Sequence, residues 1–356
     1  MIRYVTAPPQ GPSVFDPDGQ LGPEDVAQIG EVFSTPLTTS YSWNYREADR
    51  RIAKLYRLGK QRNWDAELDI DWSPEFVWAS GPALMEASDP YIGWEPYDKL
   101  TEDERLEFQW HGNAWTLSQF MHGEQGALLV AAQLANSAPT YEAKLYAASQ
   151  VFDEARHVEA FSRYLNTRVG IVYPINAALK DLLDRILTDP RWDLKFIGMQ
   201  LIIETLALSA FDVQRSVSAD PVVRDLYENV MRDESRHVAF GVTYMDQVVA
   251  QLSPDEVEER AEFALEACRI MRDRIVPTDV FDHYADRGLD AEEGRRRFLE
   301  AGEMDTFRNL LFTRIMPTLN RLGLVTESVR PGYDELGLLR FADQPLATDE
   351  ELELDT

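Results

Sequence analysis

The hexapeptide Asp153-Glu154-Ala155-Arg156-His157-Val158 returns 80 residues later as Asp233-Glu234-Ser235-Arg236-His237-Val238, with five of six positions identical. No other feature of the sequence constrains the fold so strongly. Glu and His three residues apart lie on one face of a helix, one turn from each other, so each copy offers a carboxylate and an imidazole to one metal ion. Two further carboxylates stand at matching offsets: Glu124 lies 30 residues before Glu154, and Glu204 lies 30 before Glu234. Glu204 interrupts the apolar run Leu201-Ile202-Ile203-Glu204-Thr205-Leu206. An ionised carboxylate there is costly unless it is paired or bound to metal.

The same offsets predict where the chain turns. In an antiparallel helix pair, residues equally far from the turn come level with each other. Pro139 lies midway between Glu124 and Glu154, and Ala219 midway between Glu204 and Glu234. Asn136-Ser137-Ala138-Pro139-Thr140 and Ser218-Ala219-Asp220-Pro221 both read as turns. At ~1.5 Å per residue, about 15 residues place the site ~22 Å from those turns, deep in a bundle. The pattern predicts an all-α chain with bundle helices over 101–136, 140–167, 193–217 and 221–252, and a crossing helix over 175–187. Flanking helices are predicted over 45–62, 253–275, 290–301 and 305–322, with an irregular N-terminal arm over 1–40. Residues 1–343 read as one domain whose metal-binding part spans 101–251, followed by an acidic, mobile tail over 344–356. Trp64, Trp72, Trp78 and Trp94 fall in a loop region read as packing over one side of the bundle.

The formal charge is −27. That disfavours nucleic acid and anionic membrane as partners, and it suits solubility or a basic redox partner. Cys268 is the only cysteine, so neither an internal disulfide nor a four-thiolate iron site can form. A cytoplasmic location is the expectation: the stretch from Met1 to Pro9 lacks the apolar core of a secretory signal. The apolar run from Phe196 to Phe211, broken by Gln200 and Glu204, reads as a buried bundle helix rather than a membrane span.

Carboxylate and imidazole together suit iron or manganese. A metal-bound His gives its second N–H to a carboxylate, and Asp153 and Asp233 are the natural acceptors. His122 lies two residues from Glu124 and faces away from it, while His111 and His283 read as ordinary polar residues. Leu128, Phe161, Leu208 and Phe211 stand at helical spacing from the ligands, and Gly241 leaves space one turn beyond His237. These five form a candidate apolar pocket for a hydrophobic or aromatic substrate.

The pattern resembles the ferritin-like di-iron carboxylate proteins, in which two helices each give a Glu and two each give Glu-x-x-His. The D-E-x-R-H form is similar to that of bacterial multicomponent monooxygenases, acyl carrier protein desaturases and ribonucleotide reductase small subunits. The resemblance covers residues 101–251. It implies a ferritin-like four-helix bundle with two iron ions, or manganese or a mixed Mn/Fe pair, and O2 as co-substrate. Glu124, Glu154 and His157 are assigned to one metal, and Glu204, Glu234 and His237 to the other, with the bridging carboxylates left open. By the same likeness Asp153 holds His237, Asp233 holds His157, and Arg156 and Arg236 pair with those aspartates or cap the network. Two positions depart from particular relatives. Phe161 stands where radical-forming reductase subunits carry Tyr, and Val230 where the di-iron arylamine N-oxygenases carry an extra His.

The function implied is an O2-activating di-iron oxygenase that hydroxylates, N-oxygenates or desaturates a small organic substrate. An external reductase or ferredoxin supplies the electrons, and by likeness the chain is a homodimer. A reductase-like radical generator or ligand-binding oxidase is one alternative. A non-catalytic metal-binding or storage protein is another.

Overall fold

The computed structural model describes residues 3–5, 33–80, 89–301 and 311–344. Most of the expected N-terminal arm, residues 305–310 of one expected helix, and the expected tail beyond Gln344 lie outside the described residues. Helix α1 (Arg50–Gln61) begins at the N-cap Asp49, whose carboxylate accepts from the amides of Arg51 and Ile52. Helix α2 (Glu102–Ser137) opens with a reciprocal capping box between Thr101 and Glu104. Helix α3 (Tyr141–Tyr164) returns antiparallel to it after a turn at residues 138–140. A crossing helix, α4 (Ala177–Thr188), leads to α5 (Trp192–Val217). After a turn at 218–220, α6 (Pro221–Val249) starts from Asp220 with Pro at its first position. Both turns fall where the carboxylate spacing puts them.

Helices α2, α3, α5 and α6 form the bundle. Outside it lie α7 (Pro254–Asp273), α8 (Thr278–His283), α9 (Ala291–Glu300), α10 (Ile315–Arg321) and α11 (Arg330–Glu335). The helices α8 and α11 were not foreseen, because six residues carry less than two turns of pattern. Two three-residue strands, Arg3–Val5 and Trp78–Ser80, pair antiparallel and are the only ladder among the described residues. Helix α5 is long and apolar enough to cross a bilayer, yet 78% of its most apolar window is buried inside the molecule, so it serves as the central core helix.

Within α5, residues Phe196–Ile203 are π-helical, and the Glu204 amide bonds back five residues to the Met199 carbonyl. Two glycines let α4 lie close across this bundle. A Cβ on Gly126 of α2 would sit 2.5 Å from the Leu183 side chain, and one on Gly198 of α5 would sit 2.7 Å from Ile186. Buried Lys195 donates to the carbonyls of Ile186 (2.8 Å) and Leu187 (3.0 Å), satisfying the open C-terminal end of α4. Burial pulls the pKa of this lysine down to about 8. Gly126→Val should therefore lower unfolding stability by about 1–3 kcal/mol through overpacking against Leu183. Gly123→Ala, where nothing lies within 4 Å, should be neutral or stabilising in the same denaturant titration.

Candidate metal centre

Four helices bring the six residues expected as ligands to one buried point. Glu124 comes from α2, Glu154 and His157 from α3, Glu204 from α5, and Glu234 and His237 from α6. All six are at most 4% exposed. They fall into two overlapping groups, Glu124–Glu154–His157–Glu234 and Glu154–Glu204–Glu234–His237, each with its ligand atoms within 4.8 Å of one another. Glu154 and Glu234 belong to both groups, so they are the carboxylates that two ions held there would share.

The donor set fits two divalent ions. Glu154 Oε2 and Glu234 Oε1 are buried and make no well-formed hydrogen bond, with only His157 Nδ1 near both, at 3.3 Å. Burying a charged oxygen without a partner is costly, so these atoms are suited to metal. His157 turns Nδ1 toward Glu124 (3.1 Å), Glu154 (3.3 Å) and Glu234 (3.3 Å). His237 turns Nδ1 toward Glu154 and Glu234, both at 3.2 Å. Each ring sends Nε2 the other way. That of His157 contacts Asp233 at 3.1 Å, and that of His237 contacts Asp153 at 3.3 Å. With metal bound, a ring held this way would keep its proton on Nε2 and offer its Nδ1 lone pair to the ion.

The two aspartates are tied to the two arginines. Arg156 donates to Asp153 (2.6 Å) and Asp233 (2.9 Å), and Arg236 donates to Asp153 (3.1 Å) and Asp233 (2.5 Å). The tetrad is neutral and clamps α3 to α6 behind the histidines. Trp64 completes it. Its indole N–H donates to Asp233 at 2.8 Å, its ring stacks over His157 at 17° with centroids 6.1 Å apart, and Arg156 lies over its face. Sequence reasoning placed Trp64 in a packing loop and missed this bond, because 169 residues separate the partners.

Gln150 was also missed. It lies one turn before Glu154 on the same face, fully buried, and donates to Glu154 (3.0 Å) and Glu204 (2.8 Å). Gln200 lies one turn before Glu204 in the π-helical segment, and neither atom of its amide has a partner. Helical spacing to the nearest ligand was the signal available for both glutamines.

The expected pocket is not assembled as written. Phe161 and Phe211 stack at 5.7 Å, and Phe120 and Tyr227 join them in an aromatic wall on the side of the metals toward the 218–220 turn. Val230 is buried in the same cluster. Leu208 belongs instead to the other core cluster, and Leu128 is half-buried. Gly241 leaves no open space, since a Cβ there would lie 2.7 Å from the Gln200 Cβ. Its role is to let α6 approach the π-helical segment of α5. The three remaining histidines stay off the metals. His111 Nδ1 contacts the Tyr173 hydroxyl at 2.6 Å, His122 Nε2 contacts the Tyr173 carbonyl at 2.9 Å, and exposed His283 stacks on His111.

Crowded buried carboxylates take up protons when no cation neutralises them. Burial, and then the Glu234 charge, hold Glu124 and Glu204 well above the usual carboxylate range. Burial opposes the charging of His237, but the charges of Glu154 and Glu234 overcome it and raise its pKa from 6.5 to about 10. Each of these groups binds its proton more tightly in the folded chain than in the unfolded one. For His237 that stability is fully present below pH 6.5 and lost as pH rises through about 10. Metal must displace these protons, so metal binding strengthens over the same range. The melting temperature of metal-free protein should fall from about pH 6.5 to about pH 9, while the increment added by Fe(II) grows. Parallel thermal melts check both signs.

A sequence profile of the family described as p-aminobenzoate N-oxygenase AurF matches residues 46–323, well over half of the chain. Among solved structures, an R2-like ligand-binding oxidase with aerobically reconstituted Mn/Fe cofactor aligns at 19% identity and TM-score 0.45, over 79% of this chain and 94% of that one. A single-residue variant of such an oxidase, with anaerobically reconstituted Mn/Fe cofactor, aligns at 20% identity and TM-score 0.43, over 75% and 94%. No curated protein matches the chain.

Proposed function

The chain belongs to the AurF family, and from that membership we propose that it N-oxygenates a small arylamine. It is an O2-activating di-iron oxidoreductase of the ferritin-like superfamily. The observation that supports the finer reading is the junction of two surfaces: the buried Glu and His cluster on one side, and the wall of Phe120, Phe161, Phe211 and Tyr227 on the other. Ring-on-ring contact suits an aromatic substrate, and the apolar wall excludes water from the reacting end. The rings touch one another, so admitting a substrate requires them to part. Val230 occupies the place of the extra His, so the reaction proposed rests on two histidines and four glutamates.

One oxygen atom enters the amine and the other leaves as water, with two electrons and two protons consumed per hydroxylamine formed. Two metal ions, when bound, supply the electron transfer to O2. The residues do the rest. Glu124, Glu154, His157, Glu204, Glu234 and His237 would hold the pair. Asp153, Asp233 and the two arginines keep the imidazoles oriented, and Gln150 fixes the positions of Glu154 and Glu204 through its amide. An external one-electron donor and a cytoplasmic location complete the reading.

Protein reduced with dithionite and loaded with iron should consume O2 faster when p-aminobenzoate or aniline is present, with hydroxylamine product seen by mass spectrometry. O2 uptake indifferent to every arylamine would sink the substrate assignment. Glu204→Ala should lose both two-iron uptake and substrate-dependent O2 consumption while keeping its helical circular dichroism.

A homodimer is proposed on the outward face of α2 and α3, where Leu129 (44% exposed) and Phe152 (56%) project among Ala132, Ala148 and Ala155. This apolar stripe, bounded on α3 by Lys144 and Glu159, can meet its own copy despite the −27 charge of each chain. Phe152→Glu should halve the mass measured by sedimentation equilibrium.

A further inference from the structure

The chain is strongly acidic, yet residues 46–63 hold seven basic residues (Arg46, Arg50, Arg51, Lys54, Arg57, Lys60 and Arg62) against two acidic ones. No other stretch of that length carries so large a positive excess. Helix α1 turns this composition into a ridge. Ile52 and Gly59 are buried against the bundle, while Arg50, Arg51, Lys54, Arg57 and Lys60 are exposed on the opposite side. Some of this charge is locally shared: Arg57 pairs with Glu47 at 2.9 Å, and Lys60 lies over the Tyr56 ring. The excess remains, in a protein whose surface is otherwise negative.

The location of the ridge is the second observation. Helix α1 packs on both α3 and α6. A Cβ on Gly59 would meet the Ser149 side chain at 3.6 Å and Arg236 Nε at 3.9 Å, so α1 lies directly on the tetrad that holds the histidines. Just past its end, the Asn63 amide oxygen accepts from Arg156, and Trp64 donates to Asp233. Only one helix diameter, ~10 Å, separates the ridge from the arginine–aspartate layer behind the metals.

We propose that α1 is the docking surface for the electron donor, and that the donor is a small acidic iron–sulfur carrier protein. This rests on the oxygenase reading, which needs two electrons per turnover from outside the chain. The carrier gives one electron at each encounter and is oxidised by one. Two encounters convert two ferric ions to two ferrous. Charge complementarity selects the occupant. The ridge is 12 residues long, ~18 Å, which matches the footprint of one small protein. A nucleic acid or an anionic bilayer extends beyond that length, onto acidic surface that repels it. The exposed acids Asp65, Glu67 and Asp69, just beyond α1, bound the ridge at that end and hold an acidic partner over the helix.

The test uses the iron-loaded full chain and a plant-type [2Fe–2S] ferredoxin as the probe. Native protein should bind the ferredoxin at low salt, with affinity falling steeply as salt rises. The ferredoxin should also reduce the oxidised centre in stopped flow. The triple variant Lys54→Glu/Arg57→Glu/Lys60→Glu should lose at least tenfold in both affinity and reduction rate. A matched triple reversal away from α1, Lys99→Glu/Arg296→Glu/Arg330→Glu, should lose neither. Dithionite, which needs no docking surface, reduces native and triple-variant protein alike if the triple variant is folded. Equal ferredoxin affinity and rate in the native and triple-variant proteins overturns the proposal. So does tighter binding of a short oligonucleotide or an anionic vesicle than of ferredoxin at the same ridge. If dithionite-reduced protein oxidises no arylamine but ferredoxin still docks on α1, the substrate reading fails and the docking surface stands.

Discussion

Mutual repulsion among four buried glutamates is the constraint to which the rest of the structure answers. Their oxygens converge within a few ångströms in a dry bundle, where unscreened like charges cost far more than any single helix contact returns. Only cations can hold them together: two metal ions, or protons taken up by Glu124, Glu204 and the histidines when metal is absent. The surroundings are arranged so that this problem stays local. Asp153, Asp233, Arg156 and Arg236 neutralise one another, so they orient the imidazoles without adding net charge to the site. Breaking one member would leave an unpaired buried ion, a loss of about 3–5 kcal/mol in such networks.

Much of the centre was legible in the sequence because its parts obey helical spacing. An E-x-x-H motif must place its two side chains on one face, and equal 30-residue offsets must come level across a hairpin. The clustering of six side chains, both turns and the crossed aspartate–histidine contacts follow from those two facts together with the family likeness. Features that depend on contact across long separations were not legible. The bond from Trp64 to Asp233 joins a loop to the last bundle helix, and no local pattern marks it. The π-helical segment is equally silent, since Phe196–Ile203 is uniformly apolar apart from Gln200 and fits an α-helix as well in composition. Gly241 was misread for a related reason: a missing side chain can mean open space or close approach, and only the neighbour decides which.

The net charge says nothing of placement. A value of −27 suggests an acidic surface for a basic partner, but an average over 356 residues hides a 12-residue helix of opposite sign. Amphipathic placement decides where charge acts. In α1 the buried stripe fixes the helix over the tetrad and leaves its basic side facing solvent.

The duplicated motif is symmetric in its ligands and asymmetric in their neighbours. Residues 150 and 230 are mates under the 80-residue repeat, as are 120 and 200, yet one member of each pair is Gln and the other is Val or Phe. Both amides fall at the end of the site where α3 and α5 begin, and both apolar mates fall at the end where the aromatic rings meet. The centre therefore has a polar pole and an oily one. A carboxylate that swings toward the first finds an amide donor, and toward the second finds Val230 and the ring of Phe120. Movement of these carboxylates would thus have a preferred direction, set by two pairs of side chains outside the six-residue cluster.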